Sequence, residues 1–196
     1  MTLLTVWDDT APDEPVLRTE DAGEIAGELG RIGVRFERWP LRELGPEPTQ
    51  DDVLAAYRAE VDEVVRAHGY GTVDVVSIAP SDDPGHAERV ASSRARFLDE
   101  HIHDDDEDRF FARGSGVFYL HAAGRVSAVL CEAGDLLSVP ADTTHWFDMG
   151  TDPDYVSVRF FHDDDGWVAA FTGSTISRSF PTFDQLVAGR RALARA

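Results

Sequence analysis

The chain has 196 residues and a hydrophobic fraction of 42%, enough to build one self-sufficient core, so it is not a disordered chain. A formal net charge of −19 sets it against nucleic acid and anionic membrane surfaces, because like charges repel at long range. Its single cysteine, Cys131, excludes an internal disulfide and fits a reducing compartment.

In chain order, the first segment, Met1 to Trp7, lacks the basic start and long apolar stretch of a signal peptide. Thr19 to Gly30 has the pattern of a short amphipathic helix ending near Gly30 or Gly33. Pro46 to Gln50 is a break. Thr49 followed by Asp52 makes a capping-box arrangement that opens a helix. Along it Val53, Leu54, Tyr57, Val61, Val64 and Val65 recur at helical spacing, with Gly69 as the stop. Val73–Ile78 reads as a strand and His86–Leu98 as another helix. No apolar run is long enough to cross a bilayer, so a cytoplasmic protein with no membrane association is expected.

After Glu100 the texture changes. Short β-rich runs at Val117–His121, Val126–Cys131, Leu136–Val139, Trp146–Met149, Tyr155–His162 and Trp167–Phe171 alternate with turn residues such as Gly114, Gly116, Gly124, Gly134 and Gly166. Many short strands with closely spaced turns predict an antiparallel sandwich or barrel. Pro181–Ala196 closes with a helical pattern carrying arginines at its C-terminal end, where the helix dipole favours them. The expectation is a mainly β core with flanking α-helices at the N- and C-terminal ends.

The chemistry concentrates in Glu100-His-Ile-His-Asp-Asp-Asp-Glu-Asp-Arg-Phe110. Side chains alternate faces along a strand, so His101, His103 and Glu107 share parity and can point to one side. Two imidazoles and a carboxylate suit Fe, Ni, Mn, Co or Zn and fit Ca²⁺ poorly. On the segment alone, a solvated acidic turn with two incidental histidines explains the pattern equally well. The second segment, Gly134-Asp-Leu-Leu-Ser-Val-Pro140-Ala-Asp-Thr-Thr-His145, places a histidine five residues beyond a strand-ending proline.

Together the two segments resemble the paired motifs of the cupin superfamily: His101-x-His103, three residues, Glu107, six residues, Gly114; then Gly134, five residues, Pro140-Ala141-Asp142, two residues, His145. Asp142 stands where the motif usually has glycine, and Met149 where it usually has asparagine. The run Glu100-His101-x-His103-x3-Glu107-x-Arg109-Phe110, followed by Gly114-x-Gly116-x-Phe118, is similar to the signature of acireductone dioxygenases. The similarity covers most of the chain and is least distinctive over its first forty residues.

That resemblance implies a cupin fold, a double-stranded β-helix or jelly-roll barrel. It implies one domain over residues 1–196: a mixed α/β part at 1–95, a barrel core with the metal site at 96–180, and a C-terminal helix at 181–196. It implies one Fe²⁺ or Ni²⁺ per chain on His101, His103, Glu107 and His145, with O₂ as co-substrate. The substrate implied is a small enediol of methionine salvage, 1,2-dihydroxy-3-keto-5-methylthiopentene. Cleavage gives 4-methylthio-2-oxobutanoate and formate with Fe²⁺, or 3-methylthiopropionate, formate and CO with Ni²⁺. Arg109, of the same parity, would set a positive charge beside the bound enediolate as the catalytic residue. Phe97, Phe147, Arg159 and Trp167 are weaker candidates for a substrate-binding wall, and Glu100 for a partner that orients a ligand histidine. His68, His86, His121 and His162 are expected to stand outside the chemistry, and Cys131 to be a small buried hydrophobe. A monomer is expected, because closing a barrel removes strand edges.

Three competing readings stand beside this one. Thiol dioxygenases of the superfamily use three histidines, against which Glu107 counts. A flavonol-type dioxygenase or a sugar isomerase shares similar ligands. A non-catalytic cupin that binds a small ligand is disfavoured because all four ligand positions are filled.

Overall fold

The computed structural model describes residues 1–162 and 168–193. Its elements in chain order are β1 (Leu3–Asp8), β2 (Pro15–Thr19), α1 (Ala22–Gly30), β3 (Arg35–Arg38), α2 (Gln50–Ala56), α3 (Arg58–His68), β4 (Thr72–Ile78), α4 (His86–Leu98), β5 (His101–Ile102), β6 (Glu107–Ala122), β7 (Arg125–Glu132), β8 (Asp135–Val139), β9 (His145–Asp148), β10 (Tyr155–Phe161), β11 (Ala170–Phe171) and α5 (Phe183–Leu193). Every strand pairing among the described residues is antiparallel.

β6 organises the barrel. Its first half, from Glu107, pairs with β8 and β10, and its second half, from Ser115, pairs with β7 and β9. One long strand therefore belongs to two sheets: β11-β5-β9-β6-β7-β1-β2 on one side and β3-β8-β6-β10-β4 on the other. The sequence reads Gly114 and Gly116 as breaks, but the strand runs through both. Gly114 adopts φ +73°, and a Cβ there would lie 1.9 Å from the Asp154 carbonyl oxygen. These glycines let β6 bend and let β10 approach closely.

Side chains alternate across β6. Phe118 and Leu120 enter the barrel interior with Leu4, Val6, Phe111, Val129, Cys131, Phe147 and Tyr155. Val117 and Tyr119 face out, onto a layer with Trp7, Trp146 and Phe180 that α5 covers through Phe183, Leu186 and Val187. Phe110, Val156, Val158 and Phe160 lie beneath α2 and α3. Cys131 is fully buried, and burial pushes its thiol well above its ordinary range.

The helices follow their local signals with one exception. Thr49 caps α2 in a complete capping box with Asp52, and Gly69 ends α3 at φ 79°. The sequence predicts a single helix here. Instead it breaks at Tyr57 (φ −110°, ψ 20°), whose buried ring packs edge-on against Phe110, 4.6 Å away. Tertiary packing of one aromatic overrides the helical period. No helix among the described residues is long and apolar enough to cross a membrane.

Candidate metal centre

Three strands bring His101, Glu107 and His145 to one place, and His103 lies just past the first of them. β5 carries His101, β6 starts at Glu107, and β9 starts at His145. His145 pairs with His101 on one side and with Leu120 on the other, which sets two imidazoles side by side. The connecting loops are clasped together: Asp106 accepts a hydrogen bond from the Ala141 amide at 2.9 Å, and the Asp142 amide donates to the His103 carbonyl at 2.8 Å. Asp142 itself sits at φ 61°. The usual glycine of the motif supplies this left-handed geometry, and aspartate is one of the few other residues that tolerates it.

One nitrogen from each of His101, His103 and His145 lies within 4.8 Å of the others. The Glu107 carboxylate oxygen Oε2 is 3.2 Å from His103 Nε2 and 3.1 Å from His145 Nε2. None of the four residues is more than 5% exposed. Charges at that depth persist only when paired or bound to a metal.

The tautomers follow from the partners. His101 Nδ1 lies 2.7 Å from the Asp99 carbonyl, and His145 Nδ1 lies 2.7 Å from the Thr143 carbonyl. A carbonyl only accepts, so both Nδ1 atoms carry the proton and donate, and both Nε2 atoms present a lone pair. This is the arrangement found in metal-ligating histidines. It has a further consequence: in its neutral form His145 Nε2 faces the Glu107 oxygen as acceptor against acceptor. A cation between them resolves that conflict, and the mixed nitrogen–oxygen donor set suits a transition metal.

Electrostatics agree. Burial, partly offset by the bond to Asp99 and reinforced by the other imidazoles, pushes His101 down to about 4, so its ring is neutral near pH 7. Burial also opposes the charge on His103, but the hydrogen bond and charge of Glu107 outweigh it and raise that histidine. Burial alone would raise Glu107. The Arg109 charge, with the neighbouring His103 and His145 rings, instead holds it well below the usual carboxylate range.

Arg109 lies two residues along β6 from Glu107, on the same face. Its Nη2 donates to Glu107 Oε1 at 3.0 Å. Its guanidinium carbon stands 4.5 Å from the Phe147 ring centre and 5.2 Å from that of Phe118. The structure thus brings His101, His103, Glu107, His145, Arg109 and Phe147 together.

The weaker candidates are placed as follows. Arg159 pairs with Arg109 across β10 and β6, so it faces the same side. Its guanidinium forks onto Asp74 at 2.8 and 2.6 Å and stacks 5.1 Å from Phe161. Phe97 sits in the last turn of α4, 36% exposed. Trp167 lies outside the described residues. Glu100 departs from expectation: backbone carbonyls, not Glu100, orient His101 and His145, and its buried carboxylate bonds to His121 and Thr172 instead.

One residue beside the cluster was missed from sequence, and one further histidine contacts Glu100 rather than the cluster. Phe171 pairs with His101 across β11 and β5, and its ring, edge-on to His101, is 5.8 Å away and 58% exposed. It lies in a run read as a strand, and periodicity gives no sign of an exposed aromatic beside a ligand. His121, placed outside the chemistry, has its ring 2.7 Å from Glu100; no local pattern announces a contact between residues so far apart in the chain.

A buried cluster of three histidines and a carboxylate, inside a two-sheet antiparallel barrel, defines a metal-binding cupin. Residues 4–169 match the model of the ARD/ARD′ family. The chain belongs to that family. It is 61% identical over 190 residues to an acireductone dioxygenase of Saccharopolyspora erythraea, covering 97% of this chain and 100% of that one. To acireductone dioxygenase 1 of Nocardia farcinica it is 55% identical, covering 95% of this chain and 100% of that one. Among solved structures, an acireductone dioxygenase from Bacillus anthracis with a cadmium ion in its active centre superposes with a TM-score of 0.75. That match has 28% identity and covers 87% of this chain and 98% of the other.

Proposed function

We propose that the chain is a metal-dependent acireductone dioxygenase of methionine salvage, cleaving its enediol substrate with O₂, and that Fe²⁺ is the metal for the route to the 2-oxo acid and formate. The observation that carries the metal site is the buried cluster of three imidazole nitrogens within 4.8 Å of one another, with Glu107 Oε2 3.1 Å from His145 Nε2. His101, His103, Glu107 and His145 are the proposed ligands. A bound divalent metal supplies a Lewis acid and a template that gathers the enediolate and oxygen.

The rest falls to the chain's own residues. Arg109 is a fixed cation on the same face as Glu107, and it favours the deprotonated form of an enediol placed beside it. Phe147 and Phe118 hold its guanidinium in an orientation that water would otherwise disturb. Apolar side chains suit a methylthio tail, and Phe171 and Phe97, with Arg159 as a polar neighbour, are the proposed wall of that pocket.

The test is to reconstitute the purified protein with Fe²⁺ under anaerobic conditions, add synthetic acireductone, and follow oxygen uptake against the uncatalysed background. Rapid stoichiometric uptake with formate release is expected. A protein proven to hold its iron but giving only background uptake overturns the activity and returns attention to an isomerase or a binding protein.

A further inference from the structure

Among the described residues, the strand that carries His101 has only short ladders on either side. β5 has two residues, and its pairing to β9 consists of His101 opposite His145. Its other neighbour, β11, is equally short and lies at the edge of the sheet. A ladder of this size cannot fix a ligand to the tolerance that metal coordination needs. The loop clasp at the His103 carbonyl holds its C-terminal end, and its N-terminal end needs a support of its own.

We propose that Glu100 and His121 are a positioning couple that sets the separation of the His101 and His145 strands and thereby tunes metal affinity, without touching the metal. The inference rests on the metal-site reading above. Glu100 immediately precedes His101, and its carboxylate is buried. One oxygen accepts from His121 Nδ1 at 2.7 Å and the other from Thr172 Oγ1 at 2.7 Å. The Glu100 backbone carbonyl also accepts the Thr172 amide at 3.1 Å. His121 lies near the end of β6, on the far side of β9 from β5. Its amide donates to the Thr144 carbonyl at 2.8 Å, one residue before the ligand His145. Its Nε2 faces Asp9 Oδ2 at 3.3 Å, just past β1.

The Glu100–His121 bond therefore spans β9 and ties β11, β5, β9 and β6 in one layer. That layer lies one residue out from the two histidine ligands. Its residues do for the strand spacing what the Asp99 and Thr143 carbonyls do for the ring orientations. Hydrogen-bonded supports behind metal ligands typically contribute about 10–100-fold in metal affinity, and a buried carboxylate stripped of its donor adds a desolvation penalty to the loss.

The test is Ni²⁺ binding to the full-length metal-free protein by calorimetry, with the absorption spectrum of the Co²⁺ form as a second readout. His121→Leu is expected to weaken Ni²⁺ binding by about 10–100-fold and to shift the cobalt bands. His121→Asn, whose amide can donate from near the Nδ1 position, is expected to restore most of the affinity. Thr172→Val, which removes only one bond to Glu100, is expected to cost a smaller factor and serves if His121→Leu does not fold. A drop in melting temperature with Ni²⁺ affinity and cobalt spectrum unchanged would reduce the couple to ordinary structural support and overturn the proposal. Wild-type protein that takes up no Ni²⁺ would overturn the metal site itself, an outcome separate from any difference among the variants.

Discussion

Replacing Gly116 by alanine tests how Arg109 is held. Gly116 has ordinary backbone geometry, so the substitution strains nothing by itself. An alanine Cβ would sit 2.5 and 2.6 Å from two atoms of the Phe147 ring, where ordinary contact is nearer 3.5–4 Å; the ring must withdraw by about 1 Å. It has nowhere easy to go: Phe118 is 4.9 Å away, Tyr155 6.2 Å and Phe111 6.4 Å, centre to centre. Overpacking of this kind costs about 1–3 kcal/mol, and in a domain of this size each kcal/mol lowers Tm by roughly 2–4 °C. The ring that moves is the one under the Arg109 guanidinium, and a misplacement of about 1 Å near the chemistry can cost roughly 100-fold in rate. We therefore expect Gly116→Ala to bind metal in full stoichiometry, melt a few degrees lower and lose most of its oxygen uptake. Thermal unfolding, metal analysis and kcat/KM on one preparation decide it. A variant with wild-type Tm and wild-type turnover would refute the idea that Phe147 sets the position of Arg109.

Other positions give sharper or milder outcomes. Asp142→Ala should destabilise by about 1 kcal/mol, because alanine lacks aspartate's tolerance for the left-handed region, whereas Asp142→Gly should remain near wild type; chemical denaturation of both variants separates them. Asp148 joins three elements: it receives the Arg94 fork at 2.7 and 2.9 Å and the amides of Phe183 and Gly150 at 2.9 Å. Burial raises its pKa, but the Arg94 hydrogen bond and the two amides outweigh burial and lower it. Its stabilising contribution is therefore complete above the unfolded value near pH 4 and is lost as pH falls through the lower folded value. Asp148→Asn should cost about 1.5–3 kcal/mol at pH 7 and flatten the acid limb of the stability curve; equal acid limbs in the two proteins would show that Asp148 is not part of it.

The candidate cluster was legible because its residues lie close together in sequence. His101, His103 and Glu107 fall within seven positions, and the Gly134–His145 segment needs only one turn and one strand. The N-terminal strands were not legible. β1 is buried on both faces, with Leu4 and Val6 in the barrel and Leu3 and Trp7 against the outer layer, so it shows none of the alternation by which a half-buried strand is recognised. β6 was divided at Gly114 and Gly116 because glycine usually marks a break, whereas here it serves a bend and a close contact. The partnership of Glu100 with His121 spans three strands and leaves no periodic trace.

The thinness of β5 also determines where a metal should act on stability. A ligand that binds only the folded chain stabilises it by RT ln(1 + [L]/Kd), about 4 kcal/mol at a thousandfold excess over Kd. That gain is not felt equally everywhere, because local opening of a short edge costs far less than global unfolding. β7 is held along both flanks by long ladders to β6 and β1, so it opens only with the whole domain. β5 and β11 have two residues each and can open locally, taking His101 out of reach of His145. Metal binding closes that route. Addition of Ni²⁺ should therefore slow amide exchange in β5 and β11 by a larger factor than in β1 or β7 when measured under conditions of local opening. Uniform slowing across all four strands would mean that His101 is already locked without the metal and that the site is rigid by fold alone.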